Sequence, residues 1–253
     1  VGGDQGLRVL ENVATTNNGF DFQNEWHDRP AMQDGDALLP FEFRVSGSVR
    51  WGDANGDNHL DLLVAGASAD GIGNDDLIIY LNQGADSDWA FEKIVLMSVG
   101  AATGSAEWLD FDLDGDLDVV VDGGGRDNPA FSLMRNEWDT QDPEADLQFV
   151  RVFGLEEIQP LGSAPEIAVE DFDRDGWPDL VHAGYHHPSR SYHTRLYKNR
   201  GPDPERQGHW IWEEMAELNL VGVRFAALTW ADWDDNGWPD LFVTGYYYDG
   251  SAT

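Results

Sequence analysis

The stretch Asp171-Phe172-Asp173-Arg174-Asp175-Gly176-Trp177-Pro178-Asp179-Leu180 decides how this chain is read. Counting Asp171 as position 1, acids stand at positions 1, 3, 5 and 9, a glycine stands at position 6, and the apolar pair Leu180-Val181 follows at once. Alternate spacing aims successive carboxylates into one concavity. Oxygen-only ligands in that arrangement suit a hard cation such as calcium, which takes about 6–8 oxygens. The glycine permits the sharp turn that brings the chain back. Position 7 is placed to add a backbone carbonyl, and position 9 closes the cage from the start of the next strand.

Three further copies lie outward from this one. They are Asp53, Asn55, Asp57, Asn58 and Asp61; then Asp110, Asp112, Asp114, Gly115 and Asp118; and after the template, Asp232, Asp234, Asn236, Gly237 and Asp240. The first positions are 57, 61 and 61 residues apart. A regular period of that size marks a repeat protein. The flanks repeat as well. In the template, 164–170 reads as one strand, Leu180–Gly184 as a second, Thr194–Asn199 as a third and Trp210–Glu213 as the start of a fourth. Residues 185–193 are read as a variable loop between the second and third. Four short strands with turn chemistry between them describe one blade of a propeller. Gly123-Gly124-Gly125 is read as a bare loop of the second copy.

The last copy has only two such strands, 227–230 and 241–245. Leu7–Asn12 and Phe20–Phe22 at the other end read as a third strand and the start of a fourth. The expected fold is therefore all-β: a propeller of four blades of four antiparallel strands, with one blade split between the N- and C-termini. Residues 1–253 would form one domain, with blades at about 46–100, 101–160, 161–224, and 225–253 plus 1–45. Pairing the two ends would remove open sheet edges. Pairing between chains would instead build a filament.

Composition narrows the function. The 253 residues are 41% apolar, enough for a core, and carry a net charge of −33. The four loops hold fourteen of the 48 acids. Such a surface repels nucleic-acid phosphates and anionic membranes. There is no cysteine, which excludes disulfides and thiolate metal sites, and no apolar run long enough to insert in a membrane. The chain starts at Val1 without a visible signal peptide, as a processed or an incomplete chain would. Weak all-oxygen sites need the millimolar calcium found outside cells.

The motif D-x-[DN]-x-[DN]-G-x-x-D-L, followed by L-Y-x-N-x-G, resembles the FG-GAP/VCBS repeat of integrin α chains and many secreted propellers. The resemblance covers nearly the whole chain. It implies calcium, about four ions, held by the side chains of positions 1, 3, 5 and 9 and by the carbonyls of His59, Asp116, Trp177 and Trp238. It also implies an alternative fold, part of a larger and often seven-bladed ring. Extracellular adhesion, glycan binding and scaffolding are the functions it carries, catalysis rarely.

The expected function is accordingly non-enzymatic: a secreted, calcium-stabilised propeller with a structural or adhesive role that self-assembles into filaments. Its partners would be copies of itself or cell-surface proteins and glycans. The alternatives are a lectin, using the aromatic stretches Tyr185–Tyr192 and Tyr246–Tyr248, and, ranked below it, a polysaccharide-active enzyme. His186, His187 and His193 are read chiefly as part of an exposed polar loop, with glycan or partner recognition and a transition-metal site as the sharper readings. Trp51, Trp108 and Trp230, just before their loops, are expected to pack between blades; core packing is the default reading for these and for Trp177 and Trp238 inside the loops, with shielding of the ions the sharper reading for the latter two.

Overall fold

A computed structural model describes residues 9–13, 25–29, 33–34, 37–38, 47–67, 75–87, 90–98, 104–125, 128–138, 147–152, 155 and 158–247. Three antiparallel four-stranded sheets follow one another along the chain. The first is β5 (Ser48–Gly52), β6 (Asp61–Ala67), β7 (Asp75–Asn82) and β8 (Phe91–Ser98). The second is β9 (Ser105–Leu109), β10 (Asp118–Gly125), β11 (Asn128–Asn136) and β12 (Phe149–Arg151). The third is β13 (Ser163–Glu170), β14 (Asp179–His186), β15 (Ser191–Pro202) and β16 (Trp210–Glu214). A two-stranded sheet, β17 (Arg224–Ala231) and β18 (Asp240–Tyr246), begins a fourth copy. Strand order equals chain order in every case, as short turns between neighbours require. Among the described residues no helix is long and apolar enough to cross a membrane.

The middle strands explain the stacking. The runs 62–65, 119–121 and 180–183 are buried at every residue, so both faces of each sheet are covered. An uninterrupted apolar run is what a strand covered on both faces requires. Leu63, Leu77 and Ile79 of the first sheet pack with Trp108, Val119 and Met134 of the second. Phe111, Val120 and Leu133 of the second pack with Ile167, Leu180 and Tyr197 of the third. Val181 and Leu196 of the third meet Leu228, Trp230 and Leu241 of the last. The first strands adjoin in the same order, β5 to β9, β9 to β13 and β13 to β17. Arg50 ties three of them: its Nε donates to Glu107 at 2.5 Å and an Nη to Glu166 at 3.0 Å.

Several expectations are corrected here. β1 (Val9–Val13) pairs with β2 (Glu25–Arg29), and β3 (Gln33–Asp34) with β4 (Ala37–Leu38), as separate two-stranded sheets. Neither ladder joins β17–β18, so the intrachain closure expected of residues 7–22 on 227–245 is not formed among the described residues. β1 finds a local antiparallel partner in the chain that follows it, a contact of low sequence separation. Phe20–Phe22 lies outside the described residues. Gly123-Gly124-Gly125 is no bare loop, since these glycines end β10 and pair with Ala130, Pro129 and Asn128. Most of the loop expected at 185–193 is strand: β14 and β15 run on as a hairpin, with His186 opposite Ser191. β15 continues past the turn expected at Asn199–Gly201, through a register shift between Asn199 and Pro202.

Candidate metal centre

Each acidic loop joins the first and second strands of its sheet, and four different copies fold alike. The position-1 carboxylate is clamped by two backbone amides. Asp171 accepts from Asp175 N–H at 3.0 Å and Gly176 N–H at 2.9 Å. Asp110 does the same with Asp114 and Gly115, both at 3.1 Å. Asp53 accepts from Asp57 and Asn58, and Asp232 from Asn236 and Gly237. The position-5 side chain accepts from the position-7 amide, as in Asp175 with Trp177 N–H at 3.0 Å. These local bonds compete with ladder pairing and shape the turn.

Two positions in each loop are left-handed. At position 6, φ is +98° at Gly115, +95° at Gly176 and +90° at Gly237, and Asn58 takes this place at +68°. Asparagine tolerates the left-handed region better than most residues, so the first loop keeps the form. Position 4 was not legible in the sequence. Leu113, Arg174 and Asp235 all sit there with φ between 56° and 61°. A non-glycine residue in that region costs about 1–2 kcal/mol, which the clamped amides on either side offset.

Position 9 is the buried anchor. Asp61, Asp118 and Asp179 are at most 1% exposed. One oxygen accepts from the position-2 amide: Ala54 at 2.8 Å, Phe111 at 3.0 Å and Phe172 at 3.2 Å. The other accepts from the amide of the asparagine near the end of the third strand: Asn82 at 2.8 Å, Asn136 at 2.8 Å and Asn199 at 2.9 Å. Burial, partly offset by these amide bonds, pushes the carboxyl groups up to about 6 at Asp61, about 8 at Asp118 and about 7 at Asp179. Burial and then Asp114 raise Asp112 to about 6 and Asp116 to about 7.

Three trios of carboxylate oxygens converge within 4.8 Å: Asp110, Asp112 and Asp118; Asp171, Asp173 and Asp179; and Asp232, Asp234 and Asp240. Positions 1, 3 and 9 are thus brought together. Position 5 stays outside the trio, turned toward the position-7 amide. In the first loop Asn55 replaces the position-3 acid, and Asp53, Asp57 and Asp61 form no such trio. The donor set suits a cation. Asp112 Oδ1 and Asp173 Oδ1, both at position 3, are buried acceptors without a hydrogen-bond donor. An acceptor in that state costs about 1–3 kcal/mol, and a cation between positions 1, 3 and 9 would satisfy it.

The asparagines, whose role the sequence reading missed, also pin neighbouring sheets. Asn199 Nδ2 donates to Phe111 O of the preceding loop at 3.0 Å, and Asn136 Nδ2 to Ala54 O at 2.9 Å. A family model for the FG-GAP-like repeat matches residues 53–121 and 171–243, the segments that carry these loops and strands. The chain belongs to the FG-GAP-like repeat family. No curated protein matches it significantly.

The remaining expectations divide within these FG-GAP-like repeats. Trp108 packs between sheets as expected, its Nε1 donating to Arg50 O at 3.4 Å, and Trp230 stacks on Phe172 at 6.4 Å. Trp51 is 49% exposed and lacks that role. Trp177 joins the core against Trp210, with rings 5.5 Å apart, whereas Trp238 is exposed beneath Arg174. At the histidine hairpin, His186 Nδ1 lies 2.7 Å and His193 Nε2 3.0 Å from Ser189 Oγ, while the His187 ring lies against Tyr185. Burial, followed by Arg195, pushes His193 down to about 4. Two of the three histidines therefore share one hydroxyl and the third turns away.

A buried pair breaks the repeat. Asp122 and His182 are fully buried in adjacent sheets and meet at 2.7 Å. The corresponding places of the first copy hold Ala65 and Val64. Burial raises the Asp122 carboxyl, against the opposing bond from His182.

Proposed function

We propose that this FG-GAP-like chain is a secreted, calcium-stapled propeller that acts by structure and adhesion rather than by catalysis. The repeated convergence of position-1, -3 and -9 carboxylates on one point carries this reading. In each described blade the loop acids already hold backbone amides, so they are committed to the turn rather than to a substrate. Calcium would be held by the side chains of positions 1, 3, 5 and 9 and the carbonyls of position 7. It would neutralise carboxylates that otherwise repel one another by several kcal/mol at an effective dielectric near 20. The four successive sheets are consecutive blades of the ring.

Melting in calcium and in a chelator tests this. A ligand at about 100 times its Kd stabilises by about 2.7 kcal/mol per site, so calcium should raise Tm by many degrees. Equal melting temperatures in the two buffers would overturn the reading.

The second reading, a glycan-binding surface, is favoured by one feature of the opposite rim. Tyr192 lies 5.4 Å from Tyr185 and 6.4 Å from Tyr246, and the Arg224 guanidinium sits over the Tyr192 and Tyr246 rings. Tyr246 is 50% exposed. Flat amphipathic rings beside a cation suit acidic sugars. A glycan array on the wild type and on Tyr246→Ala tests it, and no bound glycan would exclude this reading.

A further inference from the structure

The residue just before the third-strand asparagine differs between copies in a way that tracks the loop it faces. It is Leu81 in the first copy, Arg135 in the second and Lys198 in the third. Lys198 is 5% exposed, and its Nζ contacts Asp173 Oδ2 and lies 2.8 Å from Asp175 Oδ2. Arg135 Nη1 lies 4.0 Å from Asp112 Oδ2, and its Nη2 pairs with Glu137 Oε1. In both loops the position-3 carboxylate is therefore divided. One oxygen faces a tethered cation, and the other, Oδ1, is the buried acceptor without a donor. Where position 3 is the neutral Asn55, the strand offers Leu81 to the apolar core instead.

The charges agree with this division. The first and last loops carry three acids among positions 1, 3, 5 and 9, because Asn55 and Asn236 replace two of them. The second and third carry four acids, and these are the loops met by Arg135 and Lys198. Counted over positions 1, 3, 5 and 9, the strand cation brings the third cage to the −3 that the first and last reach unaided; the second carries a fifth acid at Asp116, and its Arg135 also pairs with Glu137.

We propose that Lys198, with Arg135 in the second copy, is a tethered counter-cation that holds a four-acid loop folded without metal and lowers its calcium affinity. The inference rests on the calcium reading above. The ammonium sits between the position-3 and position-5 carboxylates, at Asp173 Oδ2 and Asp175 Oδ2, and leaves Asp173 Oδ1 without a donor. It acts on both states in one direction: it relieves repulsion in the metal-free loop and opposes the incoming ion in the loaded one. The chain would then bind calcium at several sites of similar strength, and its four-acid loops would not collapse when calcium falls.

Calorimetric calcium titration and metal-free melting of the whole chain test this with three variants. Lys198→Met removes the charge but keeps an apolar stem of similar length. It should tighten one site about 10-fold, equivalent to about 1.4 kcal/mol, and lower the melting temperature in chelator. Lys198→Arg should leave both quantities at their wild-type values. Asn55→Asp, on an exposed turn, creates a four-acid loop without a counter-cation and should reproduce the Lys198→Met pattern at the first site. Unchanged or weaker calcium binding by Lys198→Met, with the wild type binding normally, overturns the inference alone. It would mean that the ammonium orients Asp173 or does nothing. No calcium uptake by the wild type overturns the calcium reading and this inference with it.

Discussion

Replacing Asn199 by alanine tests whether the third-strand asparagine joins neighbouring sheets or merely ends a strand. Asn199 is fully buried, and its side chain makes two bonds that alanine cannot. Nδ2 donates to Phe111 O at 3.0 Å, across to the preceding loop, and Oδ1 accepts from Gly201 N–H at 2.9 Å. The backbone bond to Asp179 survives the change. Phe111 and Gly201 are themselves buried, so water cannot replace the lost partners. Each orphaned group costs about 1–3 kcal/mol, and the pair should cost about 3 kcal/mol. At about 2–4 °C per kcal/mol for a chain of this size, Tm should fall by roughly 6–12 °C. Asn82 is the control. Its Oδ1 accepts from Gly84 N–H at 3.1 Å, as that of Asn199 does from Gly201, but its Nδ2 donates to Leu60 O within its own sheet at 3.2 Å, in an exposed setting where water can substitute, so Asn82→Ala should cost about half as much, about 1.5 kcal/mol. Urea denaturation should give this contrast both with calcium and in chelator, because the bond to Phe111 needs no metal. Equal losses for the two variants, or a loss by Asn199→Ala only in calcium, would refute the argument.

Two further outcomes are expected. Burial pushes the carboxyl groups of Asp61, Asp118 and Asp179 up to about 6, 8 and 7, above the ordinary aspartate value of 3.8, so the metal-free native state keeps protons that the unfolded chain has lost. Metal-free stability should therefore rise as pH falls from about 8.5 toward about 5, whereas calcium-loaded stability should fall as protons displace the metal; a metal-free Tm that drops over this range contradicts the assignment. Asp122→Ala alone should cost about 3–5 kcal/mol by stranding both His182 and the Leu161 N–H that donates to Asp122 at 3.1 Å, and Asp122→Ala with His182→Val, which copies Ala65 and Val64, should recover the His182 share of that loss in urea denaturation. A double variant no more stable than the single one would show that the contact with His182 is not what Asp122 contributes.

The four acidic loops, the 60-residue rhythm and the strands around them were legible in the residues, because the turn is local. A position-1 carboxylate reaches amides four and five residues on, and a glycine or asparagine at position 6 supplies the left-handed step. The unbroken runs 62–65, 119–121 and 180–183 likewise announced strands covered on both faces. The variable loop expected at 185–193 and the bare loop expected at 123–125 were misjudged, because strands that lose their neighbours at the rim can still pair with each other as hairpins.

The tertiary structure alone decided what depends on residues from different copies meeting. The bond from Asn199 to Phe111 spans 88 residues, and that between Asp122 and His182 spans 60. Nothing in local sequence specifies either partner. The structure also separated β1–β2 from β17–β18, where strand pattern alone had joined them, because pattern records which strands are similar and not which are neighbours. By itself the sequence determined the shape of each acidic turn and the two-faced strands beside it. Which cation faces which loop, and which sheets are pinned together, followed only from packing the sheets face to face.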